Sequence, residues 1–232
     1  MRILITSLML IAFAAPTIAF AQASEGEIIV TAQRSSDEYY SDGQPVIGLR
    51  RQADSAVQSV SINSDSRDET TRKREIHTML LSAIDRASAA GVQLVTGNFE
   101  LVQVTRNNYL DLDFKAGSRP DTSKIDLMVK SKLAGSTGTA QKRIDDFIRA
   151  VPVNGRALID KRGDLTLTII NPDQYRDQVV KLVAEGALHN AGFFGPDYGV
   201  EVSGIGEELE WSQVSNTEVF LYVPYRFIIK RK

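Results

Sequence analysis

The chain has 232 residues, 43% of them hydrophobic, a formal net charge of −2 and no cysteine. The lack of cysteine excludes disulfide bonds, thiol catalysis and cysteine-ligated metals. The near-balanced charge gives no electrostatic reason to expect nucleic acid or anionic lipid as a partner. The closing run Lys230-Arg231-Lys232 is too short to change this, and we predict that it is a solvated tail.

Residues 1–21 have the pattern of a secretory signal peptide. Arg2 supplies a short basic region, residues 3–20 are almost entirely apolar, and Ala19-Phe20-Ala21 places small residues in front of the cut. A membrane anchor is the alternative, but Pro16 breaks the apolar stretch and no charged stop-transfer flank follows. We therefore predict export to the periplasm, with no transmembrane helix after cleavage. Association with the outer membrane stays open.

Residues 22–44 are predicted to be a flexible segment in front of a folded domain at 45–232. The segment is polar apart from Ile28-Ile29-Val30, so it buries too little apolar surface to offset the entropy lost on ordering. Within it, the stretch "EIIVTAQR", Glu27–Arg34, has the composition of a β-strand. Two alternatives are open: this stretch is the first strand of the domain, or it is a peptide held out for a partner.

Three helices are predicted from apolar residues that recur at helical spacing. The first covers residues 66–90 and ends at Gly91, where a left-handed backbone would stop it. The second covers residues 139–150. The third is introduced by Asn171-Pro172-Asp173, in which Asn171 is predicted to cap the helix, and it ends at Gly192.

The strands are predicted between these helices from alternating or continuously apolar runs. Pro224 lies inside the last of them and predicts an edge strand or a bulge there, because proline cannot donate to the ladder. The resulting order, β-α-β-β-α-β-β-α-β-β, predicts an α+β fold with mixed or antiparallel sheets and three helices. The predicted strands are 92–105, 109–115, 125–130, a pair at 157–160 and 165–170 joined at Arg162-Gly163-Asp164, 198–202 and 217–229.

Three groups of side chains are candidates for chemistry, and each has a structural interpretation that we favour. The carboxylates Asp111, Asp113, Asp121 and Asp126 would suit Ca²⁺ binding or glycoside cleavage, but aspartate alternating with leucine is typical of a strand with one wet face. His77 and His189 lie on predicted helices without a second histidine at ligand spacing. Trp211, Tyr222 and Tyr225 would suit a sugar or peptide surface, although core or cross-strand packing is commoner. The sequence therefore predicts no catalytic, cofactor-binding or metal-binding residues.

From about Val57 to the C-terminus, the order of elements resembles that of the SIMPL-domain family, whose members are exported α+β proteins. The matching stretches are "AAGVQLVTGNFELVQVTRN", then "KIDLMVKSKL" leading to "AQKRIDDFI", and "YRDQVVKLVAEGALHNAGFFG". They are similar to the family's first helix with its strands, its second strand–helix unit and its third helix before a glycine. The resemblance implies a non-enzymatic protein that assembles into oligomers.

The N-terminal stretch has a resemblance of its own. "GEIIVTAQR", residues 26–34, is similar to the TonB box of TonB-dependent outer-membrane receptors, which pairs as an added strand with a periplasmic energy-coupling protein. The chain lacks the length and the many alternating strands of such a receptor. The resemblance implies partner binding through six residues, Glu27, Ile28, Ile29, Val30, Thr31 and Ala32.

The sequence thus predicts an exported, non-enzymatic binding or assembly module of the cell envelope that engages a TonB-type partner through residues 27–34. One alternative is a homo-oligomeric scaffold in which the strand containing Pro224 supplies an interface edge. The other is a carboxylate-dependent hydrolase built around Asp111, Asp113, Asp121 and Asp126.

Overall fold

A computed structural model describes residues 26–30, 46–98, 100–117, 119 and 121–232 of the chain. The predicted signal peptide and most of the segment 22–44 lie outside the described residues. Thr31 and Ala32 of the predicted partner-binding peptide also lie outside them.

The predicted α+β class, with antiparallel sheets and three helices, is confirmed. The helices are α1 (Glu69–Ala87), α2 (Thr137–Ala150) and α3 (Arg176–Gly192), with short 3₁₀ turns at Tyr109–Asp111 and Pro172–Tyr175. The strands within the described residues are β1 (Glu27–Ile29), β2 (Leu49–Gln52), β3 (Ser55–Ser64), β4 (Val92–Thr96), β5 (Val102–Gln103), β6 (Lys115–Ala116), β7 (Ser123–Lys132), β8 (Leu158–Ile170), β9 (Tyr198–Ser203), β10 (Glu210–Gln213), β11 (Glu218–Tyr222) and β12 (Arg226–Arg231).

The main sheet has the strand order β1-β8-β3-β7-β4-β5, with β6 paired to β7. All of its pairs are antiparallel, and β3 lies at the centre because it pairs with both β7 and β8. The sheet also closes on itself. Ile28 of β1 forms a bridge with Glu100, and the Leu101 N–H donates to the Glu27 carbonyl oxygen over 2.9 Å. β1 therefore lies between β8 and the chain just before β5.

Helices α1 and α2 cover the outer face of this sheet and bury the first core against β3, β4 and β7. Asp68 caps α1 by accepting the Thr71 N–H over 2.7 Å, and Gly91 follows the helix with a φ of +68°. The residues 0–2% exposed in this core come from both layers: Val60, Ile62, Ile76, Met79, Leu80, Ala83, Ile125, Val129, Ile144, Phe147 and Ala157.

A second core lies where β1 and β8 meet α3 and a smaller sheet of order β10-β11-β2. It contains Ile28, Val30, Leu167, Ile169, Val179, Val183, Leu209, Trp211, Val219 and Leu221, all buried. The remaining two strands, β9 and β12, form a separate antiparallel ribbon. No helix among the described residues is long and apolar enough to cross a membrane.

Several local predictions are wrong, and each has a physical reason. The predicted strand 92–105 is the two strands β4 and β5, which pair as a hairpin after Gly97, whose φ is +129°. Residues 109–115 do not form a strand, because the Asn108 side chain accepts the Thr105 N–H and donates to the Gln103 carbonyl, which folds the chain into a turn. The stretch at Arg162-Gly163-Asp164 does not separate two strands; it is a bulge in the continuous strand β8. Asn171 has a φ of +42° and makes no side-chain cap hydrogen bond, since a 3₁₀ turn precedes α3. The predicted last strand is divided at residues 223–225 into β11 and β12, which join different sheets.

The division between a flexible segment 22–44 and a domain 45–232 does not hold for residues 27–30. They are part of the main sheet, so the first of the two alternatives for this stretch, a strand of the domain, is what the structure has. The physical reason is that the short apolar run is long enough to fill a gap in a sheet, although it is too short to form a core of its own.

Candidate interaction surfaces

The N-terminal strand occupies a slot between β8 and the segment Glu100–Leu101. Its register pairs Glu27 with Ile170, Ile28 with Ile169 and Ile29 with Thr168. Further hydrogen bonds run from the Val30 N–H to the Leu167 carbonyl (2.8 Å) and from the Asn171 N–H to the Gly26 carbonyl (3.0 Å). The slot therefore satisfies backbone groups on both sides of a very short strand.

The side chains of β1 alternate between two environments, as those of a strand must. Ile28 and Val30 point into the second core. Glu27 and Ile29 point to the other face of the sheet, where Ile29 packs with Val57, Val95, Leu101 and Met128.

Glu27 forms a buried polar cluster on this inner face. The Lys130 ammonium of β7 forms an ion pair with Glu27 Oε2, and the side chains are 11% and 2% exposed. Thr168 Oγ1 donates to Glu27 Oε1 over 2.6 Å. Because β7 and β1 are not neighbours in the sheet, this ion pair connects two separated strands across its inner face. A one-residue shift of β1 would turn the Glu27 side chain to the other face of the sheet and break this ion pair.

This geometry constrains the predicted partner-binding peptide. Its described members, Glu27 to Val30, are each 8% exposed or less, so they are covered by the chain itself. A partner that adds to this peptide as a strand would first have to draw it out of the slot.

The four candidate carboxylates do not share an environment. Asp111, Asp113 and Asp121 are exposed on the 3₁₀ turn and in the loops on either side of β6. Asp126 lies half-buried on β7, where it accepts hydrogen bonds from Lys115 (3.2 Å) and Lys124 (3.1 Å). Burial raises the pKa of Asp126, but the two lysines outweigh this and leave it below its ordinary value.

A carboxylate that neighbouring lysines hold in its charged form is a poor general acid, because it carries no proton to donate at neutral pH. Within the part of the chain that the structure describes, no three His, Asp or Glu side chains converge as metal ligands would.

The candidate histidine His77 and the candidate aromatic residues Trp211 and Tyr222 are packed against other side chains of the fold. His77 packs against the rings of Tyr109 and Phe114 at centroid distances of 5.4 and 5.0 Å, and burial lowers its pKa. Trp211 and Tyr222 are 1% and 3% exposed, and burial followed by the neighbouring Glu210 raises the pKa of Tyr222. Trp211 and Tyr222 therefore belong to the core and are not available to a ligand.

The ribbon of β9 and β12 has open backbone edges, as do strands β10 and β2 of the smaller sheet, among the described residues. Each strand pairs only with the other among the described residues, so each presents one unpaired edge. One face packs against α3, through β9. On the other face Ile228, opposite Glu201, is 67% exposed beside an open depression lined by Ser203, Tyr225 and Arg226. The sequence pointed to this edge only through Pro224.

The C-terminal end of α3 carries a second exposed apolar feature. Phe193 and Phe194 are 75% and 60% exposed, and Leu188, in the helix before them, is 63% exposed. The helix buries Val179, Val183, Ala187 and Ala191 on its other side. Two phenylalanines directly after an apolar helix were a visible signal, but periodicity alone assigns such residues to a core.

Comparison with known proteins found no match: no family model, no curated protein and no solved structure matches the chain. The resemblances to the SIMPL-domain family and to the TonB box therefore stay predictions.

Proposed function

We propose that the protein is an exported, non-enzymatic assembly module of the cell envelope that self-associates through the edges of the β9–β12 ribbon. The observation that carries this proposal is a two-stranded sheet whose two edges are unpaired among the described residues and whose open face carries an exposed isoleucine. An isolated pair of strands is marginally stable, and a third strand both adds hydrogen bonds and covers apolar surface.

The charges on the two strands favour a second copy of this chain as the added strand. β12 carries Arg226, Lys230 and Arg231, whereas β9 carries Glu201. Inside one molecule Lys230 already forms an ion pair with Glu201. The outer edge of β12 can meet β9 of a second copy in the same antiparallel register, which puts Ile228 opposite Glu201 and lets Lys230 reach that Glu201 diagonally, as it does inside one molecule.

Pairing of β12 with another β12 is disfavoured by the same residues. An antiparallel pairing centred on the strand puts Arg226 opposite Arg231 of the second copy, and like charges directly opposite destabilise a sheet. A contact between β12 and β9 of a second copy is head-to-tail, and repetition of it builds a ring or an open array rather than a symmetric dimer.

Export and the envelope are supported by sequence. Residues 1–21 have the three parts of a signal peptide, and the SIMPL-like order of elements is that of exported, assembling proteins. The non-enzymatic assignment is supported by the separation of the candidate carboxylates and by the lysines that pair with Asp126.

Multi-angle light scattering on residues 22–232 tests the assembly over a concentration series. We expect mass to increase with concentration, and Ile228→Lys to weaken association at least tenfold, because an isoleucine side chain contributes about 1.5–3 kcal/mol when it is buried. Leu110→Lys is the matched control, since Leu110 is 64% exposed on a different face. A wild-type chain that is monomeric at every concentration would refute the proposal.

A second candidate function is strand exchange with a TonB-type periplasmic partner. It is supported by the small size of β1, which is three residues long and belongs to the N-terminal part of the chain. Such a strand can leave the slot without dismantling a helix or a longer strand, and its backbone then becomes available for strand addition.

A disulfide lock tests this second function. Ile28 and Ile169 are directly paired and share one core, so Ile28→Cys with Ile169→Cys can form a cross-strand disulfide in a chain that has no other cysteine. Capture by the partner's periplasmic domain should be lost when the lock is oxidised and should return on reduction. Equal capture of the oxidised and reduced forms would show that residues 27–30 are not the binding strand.

A further inference from the structure

The end of α3 exposes two large aromatic side chains that the fold does not use. Phe193 and Phe194 follow the helix in a turn closed by hydrogen bonds from the Phe194 N–H to the Ala191 carbonyl and from the Gly195 N–H to the Gly192 carbonyl. Phe193 contacts only the edge of the His189 ring, at 4.8 Å, among the ring contacts of the described residues. Both rings are therefore held in a fixed place while most of their surface faces solvent.

The basic C-terminal run is fixed beside these rings. The sequence predicted that Lys230-Arg231-Lys232 is a solvated tail, and this is wrong, because β12 pairs with β9 as far as Arg231. Lys232 continues the contact through its backbone N–H to the Asp197 carbonyl (2.8 Å) and its Nζ to the Pro196 carbonyl (2.9 Å).

Phe194 reaches the same place from the other side. Its ring lies 5.9 Å from that of Tyr198, and Tyr198 is the residue paired with Arg231. Two exposed phenylalanines and two cations, Arg231 and Lys232, thus form one continuous surface, which we call the α3 tip.

We propose that the α3 tip docks on the surface of an anionic phospholipid bilayer. Aromatic side chains flanked by cations suit the boundary between headgroups and acyl chains, where the rings are buried and the cations meet lipid phosphates. Two acids lie in or just before the strand opposite these cations: Glu201 is paired with Lys230, and Asp197, whose backbone carbonyl accepts the Lys232 N–H, is outnumbered by Arg231 and Lys232.

A second copy of this chain fits the tip less well than a bilayer does. The rings stand on a helix end and do not line the depression of the ribbon, whose walls are formed by residues 201, 203 and 225–228. The ribbon edges and the α3 tip are also different surfaces, so a chain assembled through its edges can still present its tips to a membrane. The inference is thus independent of the proposed assembly.

Sedimentation with vesicles tests the docking. Residues 22–232 are mixed with vesicles of equal parts phosphatidylglycerol and phosphatidylcholine, or of phosphatidylcholine alone, at low and at 0.5 M salt. We expect binding to the anionic vesicles and weaker binding in high salt. The double variant Phe193→Ser with Phe194→Ser should bind at least about tenfold more weakly than the wild type. Leu110→Ser is the matched control and should bind as the wild type does, since Leu110 is 64% exposed elsewhere.

A second variant separates the electrostatic part from the apolar part. Arg231→Gln with Lys232→Gln leaves the aromatic rings intact and should weaken binding to anionic vesicles while removing most of its salt dependence. Thermal unfolding of each variant checks that it is folded.

Three results would overturn the proposal: no binding to either vesicle, equal binding of wild type and the double phenylalanine variant, or loss of self-association in that variant without any vesicle binding by the wild type. The last would assign the tip to a protein contact. Failure of the ribbon assembly is read separately, from the scattering mass of Ile228→Lys without lipid.

Discussion

The buried ion pair between Glu27 and Lys130 gives the sharpest test of the described fold. Replacing Lys130 with methionine roughly keeps the volume of the side chain but leaves the Glu27 carboxyl, 2% exposed, without its cation. Breaking a buried pair on one side leaves an uncompensated charge, and that is far more destabilising than the pair is stabilising. We expect Lys130→Met to lower the free energy of unfolding substantially at pH 7.

The magnitude follows from the partners that remain. Removing one member of a buried pair costs about 3–5 kcal/mol. Here Thr168 Oγ1 still donates to Glu27 over 2.6 Å, and Lys130 is 11% exposed, so the lower end of that range applies. A loss of about 3 kcal/mol corresponds to a melting temperature lower by roughly 6–12 °C in a chain of this size. The double variant Glu27→Gln with Lys130→Met removes both charges and should recover more than half of the loss.

Equilibrium unfolding in urea measures these differences through the fluorescence of Trp211, which is the only tryptophan and is 1% exposed. Lys142→Met is the control, because the pair Lys142–Asp146 is 76% and 47% exposed, and an ion pair screened by solvent contributes little to stability. A loss below 1 kcal/mol in Lys130→Met, or a double variant no more stable than the single one, would refute the reasoning and the insertion of β1 with it.

Three further predictions follow from single contacts. Gly97→Ala should destabilise the fold by about 3 kcal/mol, because Gly97 has a φ of +129° and a Cβ would overlap the Glu100 carbonyl beside β1. Gln58→Met should lose about 2 kcal/mol, since the Gln58 amide donates to two carbonyls of the β8 bulge over 2.8 and 3.1 Å. Asp126→Asn should lose no more than about 1 kcal/mol at pH 7, and the loss should shrink as the pH falls through the folded-state pKa of Asp126, which lies below its ordinary value. The sign follows because the pKa of Asp126 is lowered in the folded state: the stability it contributes is present above its unfolded pKa and is lost as pH falls through the folded pKa.

Each of these has a matched control and a result that would contradict it. Gly135 has a positive φ of +82° and open space where a Cβ would lie, so Gly135→Ala should lower the free energy of unfolding by only about 1 kcal/mol. An equal loss in both glycine variants would show that the overlap with Glu100 is not the cause. Gln213→Met is exposed and should be neutral, so an equally stable Gln58→Met would show that the bulge carbonyls need no side-chain donor. A loss in Asp126→Asn that stays constant from pH 7 to pH 2.5 would exclude the carboxylate charge as its cause.

Much of the fold could be read from periodicity, because helices α1 and α2 and strand β7 each bury one regular face. Alternation failed where a local polar side chain competed with the strand. Leu110, Leu112 and Phe114 alternate with acids, yet Asn108 closes a turn in front of them and Leu110 is left 64% exposed. Periodicity shows which residues are apolar, but it does not show where local side-chain hydrogen bonds close a turn in place of a strand.

The N-terminal strand shows the other limit of sequence reasoning. Residues 27–30 have few apolar neighbours in sequence, so their burial depends on Lys130, Thr168 and Leu101, which are distant along the chain. The exposure of Phe193 and Ile228 could not be predicted for the same reason, because tertiary packing decides which side of a ribbon or a helix is covered. No local pattern carries that information.

The slot filled by β1 has a consequence for biogenesis. Glu27 is among the first residues to emerge after the predicted signal, but its partner Ile170 is made more than a hundred positions later. In the export that we propose, the run Ile28-Ile29-Val30 would stay unsheltered until β8 has crossed the membrane, and the earliest strand would be placed late in folding. A holding chaperone that binds short apolar stretches would be most useful to this chain in that interval.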